Sequence, residues 1–239
     1  MVSCYLQISD YLIGLEHPYP SSKQLTQALF EVLSKNDKES LEEFMKLWLT
    51  EGVPFVFKDI PIFFKDIPIL YERVRTLLSE KLDINFKEIF MIGSGKLGLS
   101  LDPKKFAEPF QYPESDLDFT IVNEGLFKNL EEDFWRWRKD YLEGRICPEN
   151  AKEERFWRYN IRKVPDNIER GFIDIYKIPA RSEYKTRYKF TSIVPLLRKL
   201  ILSYTGRNFC DKKITFRVYK DWVSFFRQNE INLKSLKRS

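Results

Sequence analysis

IFMIGSGKLGLSLDPKKFAEPFQYPESDLDFTIV, residues 89–122, holds two apolar runs joined by a glycine-rich turn and a proline-bearing loop. Gly93-x-Gly95-x-x-Gly98 directly after the first run matches the dinucleotide-binding fingerprint, with acids some twenty positions on. That fold requires a continuous helix after the third glycine, then a second hydrophobic strand with an acid at its far end. Pro103, Pro109 and Pro113 limit any helix after Gly98 to a turn or two, because proline lacks the N–H and clashes with the preceding turn. Asp116 and Asp118 stand at the start of the second run, not beyond it. The context weakens the dinucleotide reading, and the glycines read instead as a tight strand-to-helix turn compatible with phosphate binding.

The same residues make sense as metal and phosphate chemistry. Side chains alternate along a strand, so Asp116, Asp118 and Thr120 share one face while Leu117, Phe119 and Ile121 share the other. Two carboxylates at i and i+2 have Cα atoms roughly 7 Å apart, within joint reach of one divalent ion or a pair. Hard oxygen donors favour Mg²⁺ or Mn²⁺. Gly93 and Ser94 end a buried strand and open a short helix, where free amides and a hydroxyl can hold phosphate. The alternative for the two acids is a solvated strand edge blunted against pairing, although Asp is disfavoured within strands.

Outward from this stretch the periodicity changes. Before residue 85 it is helical: SSKQLTQALFEVLS with Ser21 and Ser22 as candidate caps, SLEEFMKLWL with Leu41, Phe44, Leu47 and Trp48, and ILYERVRTLLSEKL with Leu70, Val74, Leu77 and Leu78. FKDIPIF (57–63) followed by FKDIPIL (64–70) is a tandem repeat, read as a local duplication in an extended connector rather than a recognition loop. After residue 86, EIFMIG, DLDFTIV, GFIDIYKI and KITFRVY read as strands. Stripes of Leu130, Phe134, Trp137, Tyr141 and of Ile193, Leu196, Leu197, Leu200, Tyr204 lie between them, and Trp222, Phe225, Phe226, Leu233 and Leu236 mark a last helix. Trp135, Arg136, Arg138 and Lys139 read as a solvated helix face, with base stacking as the alternative. The expectation is an α+β (mixed α/β) fold: a small sheet with flanking helices and helical extensions at both ends. Its expected divisions are an N-terminal helical region (1–84), a catalytic core (85–190) and a C-terminal helix-strand-helix region (191–239).

Composition narrows the chemistry. With 40 Lys+Arg against 35 Asp+Glu the net charge is +5, which suits an anionic partner such as nucleotide phosphate. A single histidine, His17, and three scattered cysteines, Cys4, Cys147 and Cys210, exclude a four-ligand zinc site and a histidine-based triad. The cysteines read as small core residues of a reducing compartment. No basic leader segment and no run of about 18 apolar residues is present, so a cytoplasmic protein without a membrane partner is expected.

IGS after a strand, then SDLDFTIV, resembles the signature of the DNA polymerase β-type nucleotidyltransferase superfamily. The GSGKLGLSLDPKKF loop and the downstream RVYKDWVSFFRQNEINLKSL are similar to small stand-alone bacterial members. The resemblance implies an Mg²⁺- or Mn²⁺-dependent transfer of a nucleoside monophosphate from a nucleoside triphosphate. The implied acceptor is an RNA 3′ end, a protein hydroxyl or a second nucleotide, and the implied setting a toxin or phage-defence role. It implies that Gly93, Ser94, Gly95, Lys96 and Ser115 hold the nucleotide and that Asp116 and Asp118 hold metal. It further implies a third acid on a later strand that completes the metal site or activates the incoming nucleophile; GFIDIY supplies Asp174 for this role, whose alternatives are capping a turn or pairing with Arg170. The 21 residues between Ser94 and Asp116 exceed the usual gap, and the loop 99–115 is an insertion that would bring Lys104 and Lys105 to the substrate. A non-catalytic nucleotide-binding module acting as a sensor or regulator is the other reading.

Overall fold

The computed structural model describes residues 22–35, 37–57 and 67–236. Cys4, His17, Ser21 and most of the tandem repeat lie outside them. The fold is mixed α+β, with eight helices around one four-stranded sheet among the described residues. Helices α1 (Ser22–Lys35), α2 (Lys38–Met45) and α3 (Ile67–Leu82) precede the sheet. Asp37 caps α2 by accepting the Glu39 and Ser40 amides. The second repeat copy supplies the first turn of α3, so that part is helical rather than extended connector. Pro68 is tolerated there because first-turn amides have no intrahelical acceptor.

Strands β1 (Ile89–Ile92), β2 (Leu117–Val122), β3 (Phe172–Asp174) and β4 (Ile214–Tyr219) lie in the order β1-β2-β4-β3. The pair β2/β4 is parallel and the outer pairs are antiparallel. Since β4 runs through the middle of the sheet, the expected boundary at 190/191 cuts across one folding unit. Between the strands lie α4 (Gly93–Leu97), α5 (Glu124–Leu142), α6 (Ala151–Glu169) and α7 (Lys185–Thr205), and α8 (Trp222–Ser235) closes the described chain. The sequence reading did not mark α6, although Trp157, Ile161, Val164 and Ile168 recur at helical spacing on its buried side, with Pro165 within it.

Alternation sorts the sheet into two unlike faces. Ile89, Met91, Leu117, Phe119, Ile121, Ile173, Phe216 and Val218 form one core with α3, α5, α6 and α7. Leu130, Phe134 and Trp137 on α5 are fully buried there, each contributing on the order of 2 kcal/mol through area removed from water. On the opposite face, Phe90, Val122, Phe172 and Tyr219 meet α1, α2 and α8 through Phe44, Phe225 and Leu233. Those helices cover only one end of that face. The other end carries Asp118, Thr120, Asp174, Thr215 and Arg217 and is left to the cavities described below. Cys147 and Cys210 are exposed rather than in the core, because Cys147 falls in the loop between α5 and α6 and Cys210 in the loop between α7 and β4.

Candidate functional site

Strand β1 ends at Ile92 opposite Asp118, and Gly93 turns the chain into the five-residue α4. Gly93 has φ +72°, and a Cβ there would stand 2.7 Å from Asp118 Oδ2. Only glycine lets the turn approach the carboxylate so closely. Gly98, at φ +79°, ends α4 against the Phe55 ring. The following loop is ordered: Leu99 bridges Pro109, the Phe110 amide donates to the Gly98 carbonyl at 2.8 Å, and Phe106 meets Phe30 edge-on at 5.5 Å.

The strand register brings distant residues together. Asp118 lies beside Thr215, and Arg217 lies between Thr120 and Asp174, all on one face. The Thr215 hydroxyl donates to Asp118 Oδ1 at 2.6 Å. Arg217 Nε donates to Asp174 Oδ1 at 2.6 Å, and Lys177 Nζ stands 2.9 Å from Asp174 Oδ2. Asp116 precedes β2 in the loop, and its Oδ1 is 3.0 Å from Lys213 Nζ without hydrogen-bond alignment. Lys213 also donates to the Glu114 carbonyl.

Two cavities meet at Gly93, Asp116 and Asp118. One, of about 790 Å³, reaches past Asp174 and Tyr176 to Arg187, Phe190 and Val194 on α7. It opens because β3 stops at Asp174, leaving residues 214–216 of β4 without a partner on that side. The other, of about 530 Å³, runs between the 98–116 loop and α8 past Ser94, Lys105, Ser115, Lys213, Asn229 and Asn232.

Asp118 and Asp174 differ in state. Burial pushes the Asp118 carboxyl up, the Thr215 hydrogen bond and the Arg217 charge pull it down, and the charges of Asp116 and Asp174 push it up; the net direction is upward. Among the described residues Asp118 has no ion-pair partner. Burial acts on Asp174 in the same sense, but the adjoining Arg217 guanidinium and Lys177 ammonium outweigh it and hold its carboxyl below the ordinary value. Arg217 is correspondingly held protonated: burial disfavours its charge, and Asp174 restores it.

The expected residues are thus divided. Gly93, Asp116, Asp118 and Asp174 all line the larger cavity, and Ser94, Ser115 and Lys105 line the smaller. Lys104 faces a separate groove near α1. Lys96 is corrected from nucleotide ligand to structural anchor: it is 1% exposed, and its ammonium donates to the Glu51 and Gly52 carbonyls. Gly95 is likewise buried, packed against Met91 and the chain at Asp116. Asp174 pairs with Arg217 and Lys177 and not with Arg170. Sequence reading did not single out Lys213, Thr215, Arg217 or Arg187. Alternation in KITFRVY put Thr215 and Arg217 on one face, but only pairing with β2 shows that this face holds the acids.

Asp116 and Asp118 suit a hard divalent cation, since both are oxygen donors and Asp118 is a half-buried carboxylate with no ion-pair partner among the described residues. Asp174 does not, because both its oxygens already face cations. Among the described residues no cluster of three or more Asp, Glu, His or Cys is arranged to hold a metal. No helix among them is long and apolar enough to cross a membrane. Comparison with protein-family models, curated proteins and solved structures found no match.

Proposed function

We propose that this protein is a divalent-cation-dependent nucleotidyltransferase. The observation that carries the reading is Asp118: a half-buried carboxylate without an ion-pair partner among the described residues, at the junction of two cavities and closely approached by a glycine turn. A carboxylate partly withdrawn from water is stabilised by pairing, so the position suits a positive ligand. Asp116, one residue before the same strand, would complete the donor pair once Lys213 swings away. A bound Mg²⁺ would supply the charge neutralisation that lets a polyphosphate approach these acids.

The chain's own residues would do the positioning. Ser94, Ser115, Lys105 and Lys213 give the smaller cavity hydroxyl and ammonium donors for a triphosphate. The larger cavity would take the acceptor. The acceptor oxygen forms a bond to the α-phosphorus, the bond to pyrophosphate breaks, and the hydroxyl proton passes to solvent. Asp174 acts as a positioning residue, fixing Arg217 beneath the site. Catalysis of this kind rests on orientation and electrostatics.

A second reading, a nucleotide-binding module without turnover, is favoured by the engagement of Asp174 with two cations and of Asp116 with Lys213. One experiment separates them. The pure protein is incubated with each α-labelled nucleoside triphosphate, Mg²⁺ and cell extract, in parallel with Asp118→Asn. Label fixed to an acceptor by the wild type and not by the variant supports transfer; metal-dependent binding with no label fixed supports the module; neither result refutes both.

A further inference from the structure

The wall of the larger cavity contributed by α7 contains a cation that the phosphate side leaves unused. Arg187 lines the cavity, and its Nε donates to the Ile178 carbonyl at 2.9 Å. Burial pushes its guanidinium down to about 10. Its backbone amide donates to Asp133 Oδ2 at 2.8 Å, but among the described residues no carboxylate forms an ion pair with the guanidinium. A half-buried guanidinium without an ion-pair partner, facing open volume, suits an anionic group on a ligand.

The mouth of the same cavity is aromatic. Tyr176 lines it and is 48% exposed. The turn that carries Tyr176 is tied to α6 by Asn160 Nδ2, which donates to the Lys177 carbonyl at 3.0 Å. On α6, next to Asn160, Tyr159 is 58% exposed. Arg155 and Arg162 flank Tyr159 at i−4 and i+3 on the same helical face, both exposed. Among the described residues neither has an ion-pair partner, whereas their neighbour Arg158 pairs with Glu154. Stackable rings alternating with unpaired cations, leading into a cavity with its own half-buried guanidinium, are the features that hold an unpaired nucleic-acid strand.

We infer that the acceptor is the end of a single-stranded nucleic acid. Its terminal hydroxyl would reach Asp118, a backbone phosphate would rest on Arg187, and preceding bases would stack on Tyr176 and Tyr159 with Arg155 and Arg162 against the phosphates. The role of the hydroxyl rests on the nucleotidyl-transfer reading: its oxygen gains the α-phosphorus, pyrophosphate departs and the proton goes to solvent. Strand binding does not depend on that reading.

The test is fluorescence anisotropy of 5′-labelled single-stranded RNA and DNA of about ten nucleotides, in EDTA and without nucleotide. The wild type is expected to bind at least one of them, and a blunt duplex of the same sequence at least about tenfold more weakly. Tyr159→Ala, at an exposed position, should weaken single-strand binding about tenfold. Arg155→Ala with Arg162→Ala should lower the slope of log K against log salt by about 1.4, at roughly 0.7 per phosphate on single strands. Arg187→Gln should weaken binding about tenfold, with partial recovery in Arg187→Lys. Absence of binding by the wild type, equal affinity for duplex, or wild-type affinity in Tyr159→Ala and the double variant would overturn the inference. Strand binding without label transfer to the oligonucleotide in Mg²⁺ would leave this site standing and remove the transfer reading; transfer of label to protein with no strand binding would do the reverse.

Discussion

Replacing Asp118 with Asn should make the protein more stable while removing its response to divalent cation. Asn keeps the shape of the side chain, and its carbonyl oxygen can still accept the Thr215 hydroxyl that now lies 2.6 Å from Oδ1. The local packing and that hydrogen bond, worth about 1 kcal/mol, therefore survive. What disappears is a half-buried negative charge without an ion-pair partner among the described residues, set against the like charges of Asp116 and Asp174 and offset only in part by Arg217. Removing such a charge should gain on the order of 1 kcal/mol, which for a chain of 239 residues raises Tm by about 2–4 °C. Mg²⁺ acts in the opposite sense. A ligand that binds only the folded state stabilises it by about 2.7 kcal/mol at a hundred times its Kd. Thermal unfolding followed by circular dichroism, with and without Mg²⁺ and a nucleoside triphosphate, should show the variant starting higher and failing to rise. An Asp118→Asn protein that melts lower than wild type yet gains equally from Mg²⁺ would refute the view that this carboxylate is an unpaired charge kept for a cation.

Gly93→Ala should cost about 2–3 kcal/mol, because its φ of +72° strains an L-residue and the new Cβ meets Asp118 Oδ2 at 2.7 Å. In an Asp118→Ala background only the backbone part, about 1 kcal/mol, should remain in a denaturant titration. Asp174→Ala should cost about 3–5 kcal/mol by leaving Arg217 without its buried partner, and the loss should shrink when Arg217→Met is added. Asp221 caps α8 by accepting the Ser224 amide at 2.7 Å, and this bond holds its carboxyl below the ordinary value. Asp221→Ala should therefore cost about 1 kcal/mol at neutral pH. Because the folded value is the lower one, that contribution is complete above the unfolded value of about 3.9 and is lost as pH falls through the folded one, so wild type and variant should converge in acid urea titrations. Lys105→Ala should raise the apparent KM for nucleoside triphosphate several-fold, whereas Lys104→Ala should leave it unchanged, since only Lys105 lines the smaller cavity.

Local physics made part of this molecule legible from its residues alone. The three prolines between Gly98 and β2 excluded a long helix, and α4 indeed stops at Leu97. Alternation in DLDFTIV put Asp118 and Thr120 on the face opposite Leu117, Phe119 and Ile121, and spacing marked the buried stripes of α5 and α8. These are one-dimensional properties, fixed by the two-residue repeat of a strand and the 3.6-residue repeat of a helix. Tertiary structure decided the partners. Parallel pairing of β2 with β4 set Thr215 beside Asp118, across a separation in sequence that no periodicity spans. Antiparallel pairing of β3 with β4 set Arg217 against Asp174 and so converted an expected metal ligand into half of a buried ion pair. Lys96 sits in the glycine turn in every sequence-level respect, yet its long stem carries the ammonium away to the Glu51 and Gly52 carbonyls. A charged residue's type and position state what it can bind; which carbonyl, acid or cavity it meets depends on how distant segments pack, and that packing is set by the whole core at once.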